Sequence, residues 1–441
     1  IEINNTGNTP NDLAGFYLTD DPTNLTKWQF PSAAVNNGDL LLIFASDKNR
    51  AVSGAELHTN FKLSSGGEYL AIVEPDGLTI HDEFAPSYPS QFVGTSYGRL
   101  ADGSQGYFAE PTPLAENETT TFSGFVEEEV IVDVPRGFYD APFSAGLSTS
   151  DPTLSIRYTL DGSPPTKTTG TLYSTPISIT TTTILRAASF RPGEAPRKIT
   201  TVTYLFLADV LNQPTSPTGY PNIWQPGTGA DYAMTSGVAA GQDIIDALMA
   251  LPTVSVAMPI DDLFNNNTDP AIGGIYANST IARGFAWERA CSTEFFGFPH
   301  GQELQVDCGM RVFGNASRWT SRPKHNLRLV FRSSYGPSEL EFPVFGNDGW
   351  PDKVNSYLLR GQNGDSWFHP TQNQRNDALY MRDQLARSLQ LAMHRPANFQ
   401  EHVHLYLNGL YWGLYHTLDR NEDNSMAQRF GGAKEEWDVI K

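Results

Sequence analysis

Gly309-Met310-Arg311-Val312-Phe313-Gly314-Asn315-Ala316-Ser317-Arg318, running into Pro323-Lys324-His325, decides how the last third of this chain is read. It reads as a strand, a small-residue loop carrying arginines, and a second strand opened by Lys324. Such an arrangement is able to hold phosphates. Roughly eighty residues on comes Leu405-Tyr406-Leu407-Asn408-Gly409-Leu410-Tyr411-Trp412-Gly413-Leu414-Tyr415. Asn-Gly between two apolar alternating runs signals a two-residue hairpin turn, so Asn408 reads as a turn residue before a catalytic one.

Working outward, strands are predicted at 254–258, 292–296, 307–312, 327–331 and 357–360, with a hairpin formed by 403–407 and 411–418. One helix is predicted over 377–393, with Ala378, Met381, Leu385, Leu389 and Ala392 on one face. Ahead of these strands, residues 208–250 are loop-rich, with Pro214, Pro217, Pro221 and Pro226, and end in a predicted helix over 242–250. Its Ile244, Ile245, Leu248 and Leu251 recur at helical spacing, as core packing requires.

The first half of the chain is built differently. Residues 1 to about 120 alternate apolar and polar, with turns every eight to twelve residues, as in Leu40-Leu41-Leu42-Ile43-Phe44 and Tyr69-Leu70-Ala71-Ile72-Val73; this predicts a β-sandwich. Asp20, Asp21 and Asp76 are read as turn formers rather than as Ca²⁺ ligands. After an acidic, Thr-rich connector at 116–129, a second β segment spans 131–207. It contains the strand and tight turn Ile156-Arg157-Tyr158-Thr159-Leu160-Asp161-Gly162-Ser163.

Composition agrees with mostly β structure: charged residues are only 18%, while 39% apolar content supports real cores. With 441 residues, about three domains are expected. The net charge of −19 argues against binding nucleic acid or anionic membrane surfaces by bulk electrostatics. No apolar run approaches the ~20 residues needed to span a bilayer. The chain opens on Ile1-Glu2-Ile3, inside a strand, as a processed start or a fragment would, and ends on Asp438-Val439-Ile440-Lys441, read as another strand, which favours the fragment. Cys291 and Cys308 are its two cysteines. A hairpin register symmetric about Pro299-His300 would set them opposite each other, so either a cross-strand disulfide or two buried thiols is expected.

Several separated motifs then carry resemblances. Gly15-Phe16-Tyr17-Leu18-Thr19-Asp20-Asp21-Pro22, Lys27-Trp28-Gln29-Phe30-Pro31, Leu57-His58-Thr59-Asn60-Phe61-Lys62-Leu63 and Ser96-Tyr97-Gly98-Arg99 resemble the lamin-tail domain of bacterial exported proteins. The Tyr158-Thr159-Leu160-Asp161-Gly162-Ser163 turn and its strands resemble the immunoglobulin-like module at the C-terminus of chitobiases and hexosaminidases. That module is accessory, and carries the alternative of carbohydrate or cell-wall contact through Tyr158 and Tyr173.

The 314–318 loop, Pro323-Lys324-His325-Asn326-Leu327-Arg328-Leu329, Leu358-Leu359-Arg360, Met381-Arg382-Asp383 and the Asn408-Gly409 hairpin resemble, in order, the CotH family of spore-coat protein kinases. The resemblance implies an atypical kinase that uses ATP with Mg or Mn to phosphorylate Ser-rich secreted or surface proteins, and hence an extracellular or cell-surface location. By position, it implies that Lys324 contacts the nucleotide phosphates, with Arg318, Gly314, Asn315 and Ser317 beside it. Asp383 or Asp377 would be the acidic partner of Lys324. Asp419 and Asp423 match the acidic pair after the hairpin in part. The family's later Asn-x-Asp and Trp-Asp-x-Asp motifs, which would supply base and metal ligands, have no counterpart, Trp437-Asp438 lying too early. No metal ligand is therefore assigned, and the chain taken alone is expected to be nearly inactive.

The expected architecture is mainly β and multidomain. Two immunoglobulin-like β-sandwiches (1–120 and 131–207) and a lead-in (208–250) precede an incomplete α+β atypical-kinase-like N-lobe (251–441). The competing reading is a non-enzymatic surface adhesion or scaffold protein in which the kinase-like part is a structural module.

Overall fold

A computed structural model describes the chain except for residues 8–10, 93–94, 101, 110, 118–120, 226, 235–241, 323, 346–352, 362–363, 368, 421 and 439–441. Pro323, Pro226 and the terminal strand reading at 439–441 thus lie outside the described residues. The chain is mostly β, with 34% strand and 13% helix. It forms two compact units, Ile1–Phe125 and Val126–Lys441.

In the first unit a four-stranded sheet (Trp28–Gln29, Tyr17–Thr19, Leu70–Val73, Ile80–Phe84) and a three-stranded sheet (Glu2–Asn4, Leu40–Phe44, Leu57–His58) share one core. Leu18, Trp28 and Leu70 from the first meet Ile43 and Leu57 from the second, the packing of a sandwich. The aspartates act as turn residues. Asp21 accepts the Thr23 N–H at 2.8 Å, and Asp76 accepts those of Leu78 and Thr79, each at 2.9 Å.

The second unit begins with a five-stranded sheet in the order Gly137–Tyr139, Thr200–Phe206, Thr183–Phe190, Ser155–Thr159, Thr171–Leu172. Alternation along Thr200–Phe206 has a direct consequence. Val202, Tyr204 and Phe206 fill this module's own core. The intervening residues turn to the rest of the unit: Thr203 Oγ1 lies 2.8 Å from Ser255 Oγ, and its N–H donates to buried Glu294 at 3.1 Å. Leu205 packs with Phe296 and Tyr406. Tyr158 and Tyr173 pack against the module core, the role of sandwich residues.

Beyond the lead-in helix α1 (Gln242–Ala250), seven strands close into a barrel: β1 (Thr253–Ala257), β2 (Arg289–Phe296), β3 (Leu304–Phe313), β4 (Asn326–Val330), β5 (Ser356–Arg360), β6 (Gln400–Leu407) and β7 (Leu410–Leu418). The order around it is β1-β2-β3-β4-β5-β7-β6, and parallel pairing of β6 with β1 completes the ring. Every second residue faces in. Val306, Cys308, Met310 and Val312 on β3, Leu327 and Leu329 on β4, and Tyr357 and Leu359 on β5 belong to one core. Closure leaves this sheet no free edge.

The β6–β7 turn is made by Asn408 (φ 47°) and Gly409 (φ 80°), both left-handed as a two-residue hairpin of this type demands. The Asn408 side-chain amide bonds the N–H and the carbonyl of Met258, each at 2.8 Å, so this residue is structural. Cys291 and Cys308 lie opposite each other across β2 and β3, as the symmetric register requires, and both are buried free thiols.

The helix predicted over 377–393 forms only from Arg382 to Ala392, and residues 377–381 are not helical. Observed are α2 (Gln372–Asn376) and α3 (Arg382–Ala392), followed by α4 (Asp423–Phe430). The late start is tertiary in origin: Asp365 accepts the N–H of Leu379 at 2.7 Å and that of Arg382 at 3.2 Å, which sets the first residue of α3. Its expected core face is solvent-exposed instead, at Met381, Leu385 and Leu389. No helix among the described residues is long and apolar enough to cross a membrane.

Candidate functional site

Strand β3 ends at Phe313, and the chain must turn at once to return as β4. Gly314 allows this with φ +101°, and a Cβ there would lie 2.3 Å from Ser317 Oγ. The turn is then tied internally. Ser317 donates its hydroxyl to the Phe313 carbonyl at 2.7 Å, while its own carbonyl lies 2.5 Å from His325 Nδ1. His325 Nε2 lies 3.2 Å from the Gln225 amide nitrogen, whose N–H it accepts, so the ring is neutral with its proton on Nδ1. Burial holds its pKa down at about 4. The loop and the start of β4 are therefore joined through His325.

Arg318 is buried and turned inward. Its Nε donates to the Gly314 carbonyl at 2.7 Å, Nη1 to those of Ser279 (3.2 Å) and Ala282, and Nη2 to that of Val312. Desolvation, followed by the charges of Arg283 and Arg311, lowers its pKa to about 10. Placed beside a phosphate by position in the sequence, Arg318 is engaged in three dimensions by four backbone carbonyls, which makes it a clamp for the turn. Asn315 is exposed at the tip, and Ser317 is buried beneath it.

Lys324 has very different surroundings. Its ammonium sits 4.5 Å from the centre of the Trp412 ring and 5.4 Å from that of Trp224. Desolvation lowers its pKa to about 7, and the charge of Asp231 acts in the opposite direction. Cation–π contact offsets part of the loss of water. Tyr276 continues the aromatic floor, 5.3 Å from Trp412 and 4.5 Å from His325 between ring centres.

Each acidic candidate has its own surroundings. Asp383, in the first turn of α3, gives its carboxylate to Arg360 at 2.7 Å. It lines a cleft of about 390 Å³ with Arg387, Asn398, Met426 and Arg429. Asp377 is the C-terminal cap of α2 and is exposed. Asp419 is buried against Arg429 at 3.2 Å, with burial raising its pKa to about 6, whereas Asp423 opens α4. Between them Glu422 caps α4 and accepts from Arg328 at 2.9 Å, an ion pair not anticipated from sequence. Also missed were Trp224, Gln225, Tyr276 and Asp231. A lone Trp among the prolines of the lead-in was the available signal for the first of these.

Two family comparisons bear on this geometry. The model described as CotH kinase protein matches residues 310–440, from β3 through α4, and so contains the Gly314 turn, Lys324 and the Asn408-Gly409 hairpin. The model described as chitobiase/beta-hexosaminidase C-terminal domain matches residues 134–201, within the five-stranded module. The chain thus carries a CotH kinase domain and a chitobiase/beta-hexosaminidase C-terminal domain. Among curated proteins, no relative matches the chain.

Proposed function

We propose that the barrel and its helices are the nucleotide-holding part of a CotH-type protein kinase. The kinase would move phosphate from ATP to Ser or Thr of secreted or surface proteins, with the two β modules tethering it outside the cell. The observation that carries this reading is the CotH match over 310–440, which includes a partly buried cation, Lys324, joined through His325 to a glycine turn. An ammonium with a pKa lowered to about 7 by burial gains from any anion brought beside it, so a polyphosphate suits this position. ATP would supply the transferred phosphoryl group, and Mg²⁺ or Mn²⁺ would neutralise its oxygens. Lys324 would hold phosphate; the Gly314 turn, kept rigid by Arg318, would fix where Lys324 stands. Arg318 itself fits a phosphate contact poorly, since four of its five N–H donors already meet carbonyls.

That engagement of Arg318 also supports the second reading, a surface scaffold in which the barrel is purely structural. Thermal-shift titration of the 441-residue chain with ATP and MgCl₂ or MnCl₂ separates the two. A ligand-dependent rise in Tm that Lys324→Ala abolishes supports the nucleotide site. Absence of any rise in the unaltered chain supports the scaffold.

A further inference from the structure

The two cysteines stand directly opposite each other in the β2–β3 register, with their sulfurs 3.6 Å apart inside the barrel. Thr293 Oγ1 lies 3.3 Å from Cys308 Sγ, and no other cysteine exists in the chain to compete. Directly opposed residues of an antiparallel pair have Cα atoms about 4.5–5.5 Å apart, within the span a disulfide bridges.

We infer that Cys291 and Cys308 are a modification site, forming an intramolecular cross-strand disulfide under oxidising conditions. The oxidant is a small-molecule or protein disulfide. One cysteine thiolate attacks a sulfur of that disulfide, making a mixed disulfide and releasing one thiolate. The second cysteine then attacks the bonded protein sulfur and releases the other. Two protein thiols lose two electrons and two protons; the external disulfide gains both and becomes two thiols.

Burial dictates when this happens. Cys308 is fully buried, Cys291 nearly so, and burial raises the Cys308 pKa well above the usual thiol range. The folded barrel therefore gives an external disulfide little access to either sulfur. The hairpin that pairs them is local, closing at Phe295 and Leu304, while barrel closure needs β1 to meet β6 from far along the chain. The bond forms during folding, after the hairpin and before the ring closes. It would staple the strand that leads directly into the Gly314 turn.

The test is refolding of the full chain in a buffer of oxidised and reduced glutathione, then denaturation, alkylation with iodoacetamide and intact-mass measurement. The expected result is no alkyl adduct, a mass about 2 Da below the reduced chain, and two adducts after prior reduction. The oxidised form should melt about 5 °C higher than the reduced one. Adding the same buffer to chain already folded in its reduced state should oxidise it far more slowly. Two alkyl adducts after oxidative refolding, glutathione mixed disulfides, or a disulfide-linked dimer on a non-reducing gel would each overturn the inference. Oxidation of the folded form as fast as the refolding form would overturn its timing. Because these readouts use the unaltered chain, a folding defect in a cysteine variant does not cloud them.

Discussion

The turn at Gly314–Arg318 and the start of β4 at Lys324 each put a cation out of water, six residues apart, and surround it in opposite ways. Arg318 meets four carbonyls whose positions are set by two separate stretches of chain, residues 312–314 and the 279–282 loop. Lys324 meets two indole faces. Fixed acceptors that take four of the five N–H donors of a guanidinium make it part of the scaffold. Aromatic faces attract an ammonium without fixing it as a fork of carbonyls fixes a guanidinium, and an added anion would attract it as well. The difference separates a residue that builds the site from one suited to act in it.

Breaking the Arg318 side of the comparison should cost most. Arg318→Ala leaves buried carbonyls without donors, and urea unfolding should show a loss of about 3–5 kcal/mol. Arg318→Lys should recover little of it, because one ammonium cannot reproduce the fork; full recovery would mean that charge alone matters there. Next comes Gly314→Ala. It combines a left-handed backbone with a Cβ 2.3 Å from Ser317 Oγ, and should cost about 1–3 kcal/mol in the same measurement.

The Lys324 side is sharpened by pH. Its pKa falls from the ordinary 10.5 to about 7 in the folded chain. Between those values the unfolded chain holds a proton that the folded one lacks, so stability from this group rises with pH across that window. Below about pH 7 the full cost of a desolvated charge applies. Lys324→Met should therefore remove the upward slope between pH 7 and 10.5 and be at least as stable as the parent at pH 6; an unchanged slope would remove Lys324 as its source. The smallest effect is expected at Asp383, whose pair with Arg360 is partly exposed. Asp383→Asn should cost about 0.5–1 kcal/mol and leave any ATP-dependent Tm rise intact, whereas loss of that rise would restore Asp383 as the partner of Lys324.

The strands were legible because alternation is a local property. The runs predicted at 254–258, 307–312 and 327–331 match β1, β3 and β4 to within a few residues, and the Asn408-Gly409 turn declared its own geometry. The helix at 377–393 was legible only in part. Its late start comes from Asp365, which caps α3 from outside the helix, and from Tyr380, buried on Trp367 with φ 59°. No periodicity within the segment encodes either contact.

Residue order alone determined the β character of the chain, the module order that two family matches support, the cysteine register and the glycine turn beside Lys324. Each depends on neighbours a few positions away or on one hairpin. Tertiary structure alone decided that the strands close through β1 and β6, that Trp224 reaches across some hundred residues to floor Lys324, and that Arg318 points inward. Those outcomes depend on which distant groups share a desolvated volume, a quantity that spacing along a chain does not contain.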